Sequence, residues 1–396
     1  MDIDTQYTPQ SELSDRITRF QKRLKSSAID GALIIQKADL YYFSGTAQNA
    51  HLYIPAEGEP LLMVKKSLRR ALTESALKNI VPLHSLKDLR ERIFSINKPE
   101  KIGLEMDVIP ARMFLNYQKM LVPSQMKDIS DAVRQVRMIK SPYEIGLIRK
   151  SADLNFTMFS EAPNIIREGM TEVEIAGLLE AIYRRNGHQG ACRVRGFNSE
   201  LYYGHLASGW NLSYPSFFDG PIGGTGANPS YPQGAGPKKI GRNEPIMLDY
   251  AGILNGYIVD QARMFSIGPL SDKFVAAYEV ALKIKTQIAR QAIPGANGKD
   301  LYETAHEIAA ESGLAEYLMG YEERVSFIAH GVGIELDELP VVAKDLDMTL
   351  EAGMVFALEP KFIFPEEGAI GIEDTFVVTE KGLEQLTYFD EALHVL

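Results

Sequence analysis

Residues 246–265 read IMLDYAGILNGYIVDQARMF. Ile246 to Tyr250 and Tyr257 to Asp260 are apolar, strand-like runs, and Asn255-Gly256 between them is the strongest short-range signal for a two-residue hairpin turn. With those two residues as the turn, Leu254 faces Tyr257, Asp249 faces Ala262 and Asp260 faces Ala251. Side chains alternate across a strand, so the two aspartates fall on one face of the ribbon as diagonal neighbours. A second hairpin reads the same way: Met354 to Phe364 and Gly368 to Val378 flank the turn-like Pro365-Glu366-Glu367. Centred on Glu366, it sets Glu359 opposite Glu373. Between the hairpins, His330 sits in the apolar stretch Phe327-Ile328-Ala329-His330-Gly331-Val332-Gly333.

One acidic pair in a hairpin is ordinarily a solvated surface. Two pairs embedded in apolar strands, with a histidine between them, call for another account. Four carboxylates brought to one point raise each other's pKa and need compensating charge to stay ionised. A pair of divalent cations supplies it. Asp249, Asp260, His330, Glu359 and Glu373 are therefore expected to ligate two divalent metal ions. An oxygen-rich set with one imidazole suits manganese first, with cobalt, zinc or iron as further options.

Bulk properties narrow the field. The chain has 396 residues, enough for two domains, and a net charge of −10 without a block of like charge. No basic stripe supports nucleic-acid binding, and no segment approaches the ~18 apolar residues of a membrane span. The start MDIDTQYTPQ is polar and acidic, unlike a secretory signal, so a cytoplasmic location is expected. The single cysteine, Cys192, excludes an intrachain disulfide framework and reads as structural.

The first 134 residues alternate helix and strand. Leu13, Ile17, Phe20 and Leu24 mark one helical face, Ala32 to Gln36 a buried strand, and Leu52–Ile54 with Leu61–Val64 a hairpin. This is an α/β domain with a mixed sheet, in which His51 and His84 read as structural. Ser141-Pro142-Tyr143-Glu144 has the form of a capping box at the head of a long helix, and Thr171 with Glu174 forms another. Further helices are expected near 271–292 and 299–312. Residues 135–396 then form an α+β domain of helices on a curved antiparallel sheet.

Phe197 to Gly236 is rich in glycine, proline, serine and aromatics, without sustained periodicity. Long loops are usually functional or disordered, and the aromatic content argues against disorder. It reads as an ordered lid or pocket wall over the metal site. His205 is its candidate catalytic residue, Tyr203, Trp210 and Tyr231 are candidate substrate contacts, and Trp210 and Phe217 are expected to exclude water.

The stretches LDYAGILNGYIVDQARMF, HGVGIELDELP, FALEPKF and GIEDTFVVTEKGLEQLT carry Asp, Asp, His, Glu and Glu in order. They resemble the pita-bread metallopeptidases, the clan of methionine aminopeptidase, Xaa-Pro aminopeptidase and prolidase. DGALIIQKADLYYFSG and VRMIKSPYEIGLIRKSADL resemble the N-terminal domain and linking helix of the Xaa-Pro enzymes and creatinase. The resemblance implies a creatinase-like N-terminal domain (1–134), a pita-bread catalytic domain (135–396), and hydrolysis of short peptides by a metal-activated water. It implies that Asp260 and Glu373 bridge the ions, that Asp249 completes one, and that His330 and Glu359 complete the other, with Glu359 also carrying a proton. The expected partners are a short peptide or small-molecule substrate and a second copy of the chain. The same fold also hosts hydrolases and lyases of small non-peptide substrates, and non-catalytic binding proteins.

The resemblance is incomplete around the cage. Where the family carries a histidine seven residues after the ligand histidine, this chain has Asp337, the candidate substrate contact there. The histidine four residues before that ligand is replaced by Ser326. Ser230-Tyr231-Pro232 stands where another histidine precedes the first aspartate. The arginine two residues before the bridging glutamate is replaced by Gly371.

Overall fold

The computed structural model describes residues 6–396. Among these, one compact unit runs to Arg137 and includes Arg195–Asn198, and the other comprises Met138–Val194 and Ser199–Leu396.

The N-terminal unit is built on a six-stranded mixed sheet. Its order is Ile80–Pro82, Leu61–Lys66, Asn49–Pro55, Gly31–Ile34, Lys101–Leu104, Gln125–Asp128. Asn49–Pro55 and Leu61–Lys66 form the expected hairpin. The helix Gln10–Ser26 buries Leu13, Ile17, Phe20 and Leu24, the face expected from their spacing. His51 is buried, with Nε2 2.7 Å from the Tyr117 hydroxyl.

The second unit opens with the helix Pro142–Ile165. Its Ser141–Glu144 capping box is closed in both directions, and Thr171 and Glu174 cap Glu172–Arg185 likewise. Satisfying otherwise orphaned helix N–H groups in this way fixes where each helix begins. Asp272–Gln291 and Gly298–Glu311 occupy the two expected helical regions. Phe274, Ile284, Ile288, Leu301 and Ile308 share an apolar core with Phe356, Phe362, Phe364 and Ile370 from the strands. Burying such side chains contributes about 1.5–3 kcal/mol each before entropy is counted.

Two sheets meet at the site. The first pairs Gly204–Ser208, Ile246–Leu254, Tyr257–Ser266 and His394–Val395 in that order. The second runs Leu336–Ala343, Phe327–Val332, Val355–Leu358, Asp374–Thr379, Gly382–Gln385. Ala262 and Glu373 link them, exchanging backbone hydrogen bonds of 3.2 and 3.3 Å.

Both hairpin registers follow the sequence reading. Leu254 pairs with Tyr257, Asp249 with Ala262 and Ala251 with Asp260. Asn255 and Gly256 take φ of 51° and 84°, the left-handed pair that this two-residue turn demands. In the second hairpin, Phe364 pairs with Gly368 and Lys361 with Gly371. Beyond a break, Leu358 pairs with Asp374 and Phe356 with Phe376. One register thus continues across the interruption, and Glu359 and Glu373 oppose each other inside it.

The Phe197–Gly236 segment differs from its reading as wholly irregular. Gly204–Ser208 is a strand pairing antiparallel with Ile246–Leu254, and Gly209–Ser213 is a 3-10 turn. Five residues with a glycine at the head carry too little alternation to announce a strand; the ladder offered by the Asp249 strand decides it. Among the described residues no helix is long and apolar enough to cross a membrane.

Candidate functional site

Cross-strand pairing lays the polar groups out in a row. His205 is registered opposite Asp249, Asp249 opposite Ala262, and Ala262 against Glu373. Glu359 lies across from Glu373, and His330 is paired two residues further along, with Ala357. His205, Asp249, Asp260, His330, Asp337, Glu359 and Glu373 all line one cavity. Asp260, His330, Glu359 and Glu373 are buried.

Asp260, His330 and Glu373 offer ligand atoms that all lie within 4.8 Å of one another. His330 Nε2 is 3.5 Å from Glu359 Oε1, 3.5 Å from Glu373 Oε1 and 4.0 Å from Asp260 Oδ2. Glu373 Oε1 is buried without a hydrogen-bond partner. A buried carboxylate oxygen left unpaired is costly, and a cation placed among these atoms would satisfy it. On the far side of the ring, Asp337 Oδ1 lies 3.2 Å from His330 Nδ1. Asp337 holds this place with a φ of 61°. An acceptor on Nδ1 fixes the tautomer and turns Nε2 toward the carboxylates. Asp337 thus lines the cavity, and its side chain engages the imidazole.

Lys361 is the residue the sequence reading passed over. Its Nζ lies 2.7 Å from Asp249 Oδ2, 2.7 Å from Glu359 Oε2 and 2.8 Å from Glu373 Oε2. The ammonium is buried and surrounded by carboxylates. The signal was available: Lys361 stands two residues from Glu359, the spacing that returns a strand to the same face. Its cross-strand partner is Gly371, where a Cβ would lie 2.7 Å from both Cα and Cγ of Lys361. The bare glycine, standing where the resemblance implies arginine, leaves room for the lysine side chain.

Burial and mutual repulsion set the charges. Burial pushes the Asp249 carboxyl up to about 6 and that of Glu359 to about 7, against the lowering effect of Lys361. Burial, together with Glu373 and Asp249, drives Asp260 well above the carboxylate range. Burial would raise Glu373 too, but the Lys361 ammonium and His330 outweigh it and hold the group at about 2. The His330 imidazole is raised well above its ordinary value; burial opposes this, and Asp337, Glu373 and Glu359 prevail.

The aromatic segment divides. Tyr203 and His205 line the cavity, as does Phe218. His205 Nε2 is 2.7 Å from Gln233 Nε2, and burial with the nearby Lys361 lowers the imidazole to about 4, so it is neutral near pH 7. Trp210 stands away from the cavity lining, 43% exposed and edge-on to Tyr214. Tyr231 lines a neighbouring cavity with Gln233 and Tyr250. Phe217 is exposed, and its neighbour Phe218 faces His205 instead. In a segment without periodicity, which aromatic turns inward is decided by the turns and not by local pattern. Burial pushes the Cys192 thiol far up, away from the nucleophilic thiolate, in keeping with its structural reading.

A histidine and four carboxylates converging on one cavity from antiparallel strands place the chain in the class of carboxylate-cage metallohydrolases. It belongs to metallopeptidase family M24: residues 146–380 match that family, and residues 16–139 match the creatinase/prolidase N-terminal domain. The chain is 26% identical over 382 residues to the Xaa-Pro dipeptidase of Pyrococcus furiosus, covering 96% of this chain and 100% of that one. An X-Pro aminopeptidase structure from Thermotoga maritima shares 26% identity, covers 94% of this chain and 100% of its own, and superposes with a TM-score of 0.80. An Xaa-Pro dipeptidase structure from Bacillus anthracis, at 22% identity, shares the fold with a TM-score of 0.84, covering 97% and 100% of the two chains. The expected pita-bread architecture with a creatinase-type N-terminal domain is the fold of this protein.

Proposed function

We propose that the protein is a metal-dependent exopeptidase of the Xaa-Pro dipeptidase type, acting on short peptides. The observation that carries this reading is the convergence of Asp249, Asp260, His330, Glu359 and Glu373 on one cavity in a chain of this family. Asp260, His330 and Glu373 fit a divalent ion, since the unpartnered Glu373 Oε1 lies within their cluster. Manganese suits this donor set. Two ions, the number implied by the ligand order, would require the Lys361 ammonium to leave its place against Asp249.

When bound, the divalent ion supplies Lewis acidity that polarises a carbonyl and makes water a better nucleophile. The remaining work falls to the chain's own residues. His330 presents Nε2, oriented through Asp337 at Nδ1. Glu359 keeps Oε2 on Lys361 and turns Oε1 toward the His330 side, where it accepts the proton of the attacking water and later delivers it to the leaving amine. His205, a neutral imidazole on the cavity wall whose Nε2 accepts from the Gln233 amide, keeps its proton on Nδ1 and would donate from there to the oxygen that gains charge in the transition state. Tyr203 offers a second, protonated donor on the same wall. Phe218 and Ile222 close the apolar side.

Lys361 in the cage and Asp337 in place of histidine favour a second reading, a small non-peptide substrate. Purified protein loaded with manganese decides between them when offered Xaa-Pro dipeptides alongside small amides and betaines. Cleavage of the dipeptides at rates typical of enzymes supports the first reading. Inert dipeptides with turnover of a small amide or betaine refute it.

A further inference from the structure

Lys361 is held by three carboxylates, and two of them have a second oxygen directed elsewhere. Glu359 gives Oε2 to the ammonium and sets Oε1 at 3.5 Å from His330 Nε2. Glu373 does the same: Oε2 lies on Lys361, while Oε1 stands 3.5 Å from His330 Nε2 without a hydrogen bond. Asp249 gives its Oδ2 to the ammonium. Each glutamate therefore has one oxygen on the lysine and the other beside His330. We propose that the Lys361 ammonium takes the place of one of two metal ions, so that the chain binds a single divalent cation between Asp260, His330, Glu359 and Glu373.

Space supports this. Ions of a two-metal site sit roughly 3.5–4 Å apart and share carboxylates. Lys361 Nζ touches the three carboxylates 2.7–2.8 Å away, the range of charge-assisted hydrogen bonds. A metal ion bonded to the same oxygens would overlap it. The lysine has little freedom to withdraw: its stem packs against Gly371, where even a Cβ would meet it at 2.7 Å. A lysine so placed keeps the bridging geometry of both glutamates with one ion.

This inference rests on the metal-dependent reading of the site, and its test is a count of ions that needs no substrate. Full-length protein is stripped with a chelator, dialysed against manganese, and examined by elemental analysis and electron paramagnetic resonance. The wild-type chain is expected to hold one manganese ion with the spectrum of an isolated ion. Lys361→Gly, which removes both the charge and the stem, is expected to hold two at the same free manganese, with the broadened spectrum of a coupled pair. A wild-type chain that binds two ions, shows a coupled pair, or binds none overturns the inference. So does a folded Lys361→Gly chain that stops at one. Should that variant fail to fold, the wild-type count and spectrum decide alone. A one-ion chain that leaves every dipeptide intact would refute the substrate class while leaving the ion count standing.

Discussion

Asp374, next to the cage residue Glu373, is fully buried and gathers the charges behind the site. It accepts from Arg263 Nη2 at 2.7 Å, Lys285 Nζ at 2.8 Å and the Thr387 hydroxyl at 2.7 Å. Arg263, also fully buried, donates from Nη1 to the backbone carbonyl of Glu373 at 2.9 Å. Asp374→Asn keeps the shape and removes the charge. Taking one partner from a buried ion pair costs about 3–5 kcal/mol, because the other charge stays behind. Here Arg263 retains the carbonyls of Ala262, Glu373, Phe389 and Asp390, and Lys285 retains Glu391. The lower end, about 3 kcal/mol, is therefore expected. For a unit of this size each kcal/mol moves the melting midpoint by about 2–4 °C, so scanning calorimetry should show a fall of roughly 6–12 °C. The Glu373 strand loses part of its support as well, and manganese affinity should weaken by roughly 10–100-fold, as for other residues behind a metal ligand. A midpoint shift below about 2 °C would show that the residual acceptors suffice, and the ion-pair argument would fail.

Three further outcomes are expected. Glu359→Gln should lower turnover by roughly 10²–10⁴, the worth of a positioned acid–base group; near-normal turnover would move that role elsewhere. His205→Ala should lower kcat by roughly 10²–10³, as loss of one transition-state donor does, with manganese content unchanged; a rise in KM at constant kcat would refute the donor role. Burial lowers His51 and His188 from the usual 6.5 to about 4, one in each unit. A depressed histidine contributes stability that is complete above pH 6.5 and is lost as pH falls towards 4, up to about 3 kcal/mol for each group. The melting midpoint should drop between pH 7 and pH 5, and His51→Gln should flatten that drop; an unchanged slope would count against it.

What was legible in the sequence was local. Asn255-Gly256 dictates its turn, the alternation around it dictates the faces, and together they place Asp249 and Asp260 before any tertiary information exists. The capping boxes at Ser141 and Thr171 are equally self-contained. The two-residue spacing puts Lys361 on the face of Glu359 but does not disclose its role, because a lysine beside a proline in a strand ordinarily reads as a solvated cation. Only the meeting of Asp249 from one sheet with Glu359 and Glu373 from the other makes it a buried counter-charge. Trp210 shows the converse. Large aromatics suggested a pocket wall, but the strand Gly204–Ser208 delivers His205 to the site and leaves the next turn facing outward.

The continuous register of the second hairpin makes its tip a point of fragility. Glu366 and its neighbours form an ordinary-looking loop, seven residues from either cage glutamate. Yet a strand that slips by one residue exchanges its inner and outer faces. A single codon gained or lost at that tip would therefore shift the frame in which Glu359 and Glu373 meet, even though every residue of the cage remained encoded. Loop-length variation, which surface turns usually absorb without harm, is here tied to the chemistry, and the tip should accept substitution far more readily than insertion or deletion.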